Sequence, residues 1–90
     1  MKRVRVFVEG RVQGVFFRDG VRVNALKYNV TGWVRNLPDG RVEAIFEGEE
    51  KAVDKILDFC KKGPLAASVR NVEVKQEKWG GEFEDFRILY

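Results

Sequence analysis

Residues 3–20 read RVRVFVEGRVQGVFFRDG, and the succession of patterns within them sets the fold. Residues 3–9 alternate strictly: Val4, Val6 and Val8 face one side, and Arg3, Arg5, Phe7 and Glu9 face the other. That is the signature of a half-buried strand. Gly10 and Gly14 break the alternation. From Phe17 the spacing turns helical, with Phe17, Val21, Ala25 and Tyr28 at intervals of four, four and three. Asp19 suits the first turn of that helix, and Asn29 suits a left-handed stop at its end. A strand therefore runs through a glycine-containing turn into a helix, and Arg18 stands at the helix mouth.

Outward from this unit, residues 30–36 (VTGWVRN) and 41–47 (RVEAIFE) read as two strands joined by the turn LPDG. A second helix is expected over 49–62, with Ala52, Val53, Ile56, Leu57 and Cys60 on one apolar face. Gly63-Pro64 ends it. Residues 68–77 and 84–90 are the last two strands, with a glycine-bearing loop between them. The order β-α-β-β-α-β plus a final strand predicts an α+β fold: a split β-α-β sandwich with a five-stranded, mostly antiparallel sheet and two helices on one face.

The chain has 90 residues, which predicts a single domain over 1–90. No apolar run could span a bilayer. Residues 1–8 lack the apolar centre of a signal peptide, so a cytoplasmic protein is expected. Histidine is absent and Cys60 is the single cysteine. That excludes an internal disulfide, a Cys-x-x-Cys metal clip and histidine general-base chemistry, and it leads to an expectation of no metal and no cofactor. The charge is uneven. Residues 1–36 hold eight Lys/Arg against two Asp/Glu, and residues 37–90 hold nine against twelve. The basic half contains the glycine turn, where a positive field would draw in small anions or nucleic acid.

A strand, a glycine turn and a helix make a ready anion cradle. The first-turn N–H groups have no intrahelical partner, and the helix dipole adds positive charge. Arg18 would supply a planar fork matched to two phosphate oxygens. Phe16 and Phe17 would fix the loop by burying at least one ring beneath it. The pattern alone leaves a second reading open, an ordinary solvated arginine. It is neither a Walker loop, since no Gly-Lys-Ser/Thr follows, nor a dinucleotide-binding fingerprint.

Two stretches together narrow the choice: GRVQGVFFR (10–18) and GWVRNLPDG (32–40). In this order and chain length, with Gly-Pro at 63–64 and a short aromatic-rich last strand, the sequence closely resembles the acylphosphatases over essentially all of its residues. The resemblance implies a ferredoxin-like fold and metal-free hydrolysis of acyl phosphates to a carboxylate and inorganic phosphate. By motif position it places the phosphate-binding arginine at Arg18 and the water-orienting asparagine at Asn36. The phosphate-cradling loop falls on Gln13, Gly14, Val15, Phe16 and Phe17, acting mainly through backbone N–H groups. Two positions depart from the usual pattern. Tyr28-Asn29-Val30 replaces a Leu-Gly-Leu-like turn, which asparagine should preserve. Phe16 replaces a smaller residue, which bears on packing under the loop.

The chemistry is consistent with these residues. Phosphoryl transfer depends on positioning and charge stabilisation, and a carboxylate leaving group needs little protonation. Residues 10–20 contain no Ser, Thr, Cys or His, so direct attack by water is expected. Asp19 is the rival base, and Asn36 read without the resemblance is a turn residue at a strand end. The expected partner is a small-molecule acyl phosphate, with no nucleic acid, membrane or obligatory protein partner. The alternative is a ferredoxin-like binding module for RNA or a small anionic ligand. An RNA-recognition domain would carry alternating aromatics on its third strand, where this chain has RVEAIFEG.

Overall fold

The alternation of residues 3–9 becomes strand β1 (Lys2–Arg11), whose Val4, Val6 and Val8 are sealed in the core. The computed structural model describes residues 1–90. After β1 come α1 (Phe17–Lys27), β2 (Thr31–Asn36), β3 (Val42–Gly48), α2 (Glu50–Lys62), β4 (Ser68–Glu77) and β5 (Phe86–Leu89). The five strands form one sheet in the order β4-β1-β3-β2-β5. Neighbours are antiparallel except β2 and β5, which run parallel. Each β-α-β unit leaves a gap that a strand of the other unit fills: β3 lies between β1 and β2, and β1 lies between β3 and β4. This is the ferredoxin-like arrangement expected for an α+β chain of this element order.

Both helices cover the face that carries Val4, Val6 and Val8. From α1, Phe17, Val21 and Ala25 enter the core; from α2, Val53, Ile56, Leu57 and Cys60 do so. Helix α1 stops at Asn29, which adopts the left-handed conformation at φ 57°, and Val30 N–H then donates to the Ala25 carbonyl at 2.9 Å. Asparagine tolerates this conformation better than most residues, so the turn forms as expected. Burial raises the pKa of the Cys60 thiol to about 12, which leaves it an inert apolar filler.

The other face differs from the simple alternation expected of β3. All seven of its residues are buried, Glu43 and Glu47 included. At Glu47 the connection between β4 and β5 is the cause. It joins opposite edges of the sheet, a span of four strand spacings or about 19 Å, and it crosses the face that the helices leave free. On the way, the Gly80 and Glu82 N–H groups donate to the Glu47 carboxylate at 3.4 and 3.2 Å. Arg3 reaches Glu47, Glu77 and Glu82, while Arg5 and Arg35 both hold Glu43. β5 is shorter than the expected 84–90, because the chain is still crossing until Asp85, whose carbonyl accepts from Gly32 N–H at 2.9 Å. No helix is long and apolar enough to cross a membrane.

Candidate active site

The loop between β1 and α1 is shaped at both ends. Its approach is bent at Gly10, where the β1–β4 register shifts and a Cβ would stand 2.3 Å from the Ser68 carbonyl oxygen. Beyond it, Val12, Val15 and Phe17 are buried, and Phe17 packs on Phe59 of α2 with ring centroids 6.0 Å apart. These three anchors fix the backbone between them. Gln13 turns the other way: its side-chain amide donates to the Leu37 carbonyl at 2.8 Å and to the Arg41 carbonyl at 3.0 Å. The loop is thereby tied to the β2–β3 turn, directly after Asn36.

Two residues of the loop have positive φ, Gly14 at 73° and Phe16 at 64°. Their neighbours do not, so residues of positive and negative φ alternate. Such alternation turns successive N–H groups toward one side as a concave anion nest. The N–H groups of residues 13–16 donate to no group of the protein. The first bond of the helix is Gly20 N–H to the Phe16 carbonyl, at 3.1 Å, and no side chain caps the helix start. A Cβ on Gly14 would meet nothing within 4 Å, so its glycine answers the backbone angle alone. Phe16 adopts the same region without that freedom, and strained residues of this kind cluster at functional sites.

Arg18 follows in the first helical turn. It forms no ion pair. Its contacts are a long hydrogen bond to the Leu89 carbonyl at 3.5 Å and the Tyr90 ring, whose centroid lies 5.1 Å from the guanidinium carbon. Gly14, Phe16, Phe17, Arg18 and Asp19 line one cleft of about 280 Å³, with Val12, Ile88 and Tyr90 completing it. Asp19 is exposed in the first turn of α1, as its helix-start role predicts.

The expected site residues thus divide. Gly14, Phe16, Phe17 and Arg18 meet in the cleft, while Gln13 and Val15 hold the loop from behind. Asn36 ends β2 opposite Val42 and is not among the cleft-lining residues. Its Oδ1 is buried and accepts from no donor of the protein, the one such side-chain atom in the molecule. At least one of the two adjacent rings was expected beneath the loop, and it is Phe17; Phe16 stands 76% exposed. Ile88 and Tyr90 were not anticipated. Their signal lay in the topology, since β5 docked beside β2 must run past the start of α1. No cluster of three or more His, Cys, Asp or Glu side chains is placed to hold a metal ion.

Residues 4–88 match the family profile described as Acylphosphatase. The chain is 57% identical over 90 residues to the acylphosphatase of Syntrophus aciditrophicus, covering all of this chain and 94% of that one. It is 58% identical over 87 residues to that of Rubrobacter xylanophilus, covering 97% and 79%. The crystal structure of acylphosphatase from Bacillus subtilis superposes with a TM-score of 0.95 at 38% identity, over the whole of both chains. Sequence and fold agree along the full length: this chain belongs to the acylphosphatase family.

Proposed function

We propose that this acylphosphatase hydrolyses its substrate by direct attack of water on phosphorus, with the phosphate held by Arg18 and the N–H groups of residues 13–17. The observation that carries this reading is an arginine without a carboxylate partner beside a loop whose N–H groups of residues 13–16 have no acceptor in the protein. Those donors can meet the three equatorial oxygens on which charge develops in the transition state. The Arg18 guanidinium lies over the Tyr90 ring, with 5.1 Å from its carbon to the ring centroid, and has no carboxylate partner to displace. The orphaned Oδ1 of Asn36 is an acceptor suited to a water O–H, which would aim the water's lone pair at phosphorus. As the new P–O bond forms, the acyl–oxygen to phosphorus bond breaks and its electron pair leaves on the carboxylate. The water's proton passes to a phosphate oxygen. The leaving group needs no acid, which accounts for a chain with no histidine.

Two substitutions test the division of roles. Arg18→Ala should abolish turnover and competitive inhibition by inorganic phosphate together, by about 10³–10⁵ in rate. Asn36→Ala should lower kcat about 10²–10³-fold while the phosphate inhibition constant stays near its parent value. Phosphate affinity retained in Arg18→Ala, or lost in Asn36→Ala, would overturn the assignment.

A further inference from the structure

Two aromatic rings stand in water beside the same guanidinium. Phe16 is 76% exposed and Tyr90 is 100% exposed, and both line the Arg18 cleft together with the half-buried Ile88. Phe16 cannot relax inward. Val15 and Phe17, on either side of it, are both buried, so the side chain between them is turned out. The Arg18 guanidinium lies over the Tyr90 ring. An apolar ring held in solvent beside a phosphate cradle has no packing role. A group attached to a phosphate bound by the loop and by Arg18 would have to lie along these rings. The groove next to the cleft is shared by Arg22, Arg87, Asp19 and Asp85, two cations matched by two carboxylates, and Arg87 is already bonded to Asp85 at 3.2 Å. It therefore offers an additional negative charge no net attraction.

We propose that Phe16 and Tyr90 form the acyl-group subsite, which selects acyl phosphates with a flat aromatic or extended apolar acyl group over short or anionic ones. The proposal rests on the hydrolytic reading above and adds its substrate class. The ring contacts act on a part of the substrate remote from phosphorus, so they should tell mainly in KM.

The test compares benzoyl, acetyl and succinyl phosphate as substrates of the parent, Phe16→Ala and Tyr90→Ala. In the parent, kcat/KM should be highest for benzoyl phosphate. The benzoyl-to-acetyl ratio should fall roughly three- to tenfold on loss of either ring, chiefly through KM for benzoyl phosphate. The ratio cancels any common effect of Phe16→Ala on the loop, and Tyr90→Ala changes a fully exposed residue outside it. An unchanged ratio in both variants would overturn the subsite while leaving the hydrolase intact. Succinyl phosphate as the best substrate would overturn it too, and would move the acyl group to Arg22 and Arg87. A parent that hydrolyses none of the three and is not bound by phosphate would instead bring down the hydrolytic reading, and the subsite with it.

Discussion

Phe16 holds φ 64° and ψ 25°, angles that cost a residue with a Cβ about 1–2 kcal/mol. Its ring recovers little of that by burial, being mostly in water. Asparagine tolerates the left-handed region better than most residues, and Asn29 holds φ 57° in this chain. Phe16→Asn should therefore stabilise the protein by about 0.5–1 kcal/mol, raising Tm by a few degrees. Thermal melts followed by circular dichroism would decide it, and a lower Tm would mean that the ring contributes more to the fold than its exposure implies. Position 16 also marks a limit of reading residues in order. Two adjacent phenylalanines suggest that at least one ring is buried, and only the buried Val15 and Phe17 reveal that the first points out. The position of Arg18 at the helix mouth, by contrast, was legible, because it depends only on the strand, turn and helix around it.

At the level of elements, the β1–α1 loop and the β2–β3 turn are joined through one side chain. Gln13 spends both N–H bonds of its amide on the Leu37 and Arg41 carbonyls. Gln13→Ala removes both bonds and should cost about 1–3 kcal/mol. Under the mechanism proposed above it should also lower kcat, because the bond to Leu37 ties the loop to the residue after Asn36. Gln13→Glu should be worse than alanine, since a carboxylate would face two carbonyl oxygens with no proton to give. Urea unfolding and steady-state kinetics on the two variants would check this, and glutamate matching the parent in both would sink it. The elements themselves were largely readable. The alternation of RVRVFVE has one possible half-buried phase, and β4 occupies 68–77 as expected. The full burial of β3 was not readable, because Glu47 is bonded by chain more than thirty residues away and Glu43 is held by Arg5 and Arg35 of the two neighbouring strands. Nor could spacing alone show that Gln13 faces the β2–β3 turn.

The whole molecule is fastened by charge on the face without helices. The Arg5 hydrogen bond, followed by that from Arg3, holds the Glu77 carboxyl below its ordinary 4.5. A carboxyl whose pKa is depressed by folding stabilises the folded state above its unfolded value, and that contribution disappears as pH falls through the lower folded value. Glu77→Gln should melt below the parent at neutral pH, and the two melting temperatures should converge as the solution is acidified below 4.5. A gap that stays constant down to about pH 2 would show that the ionised form of Glu77 is not what matters. The same fastening has a consequence in time. Arg3 meets Glu77 and Glu82 across 74 and 79 residues of chain. Contacts so distant in sequence form slowly, and a topology dominated by them folds late and cooperatively. Until residues 78–89 have crossed and docked, β2 is a bare edge that carries Trp33, and Phe46 lacks the ring of Phe86 that stacks on it at 5.8 Å. An unpaired edge of that kind templates pairing with another chain. The crossing segment is therefore also the molecule's guard against aggregation, and the interval before it docks is when a newly made chain is most exposed to its neighbours.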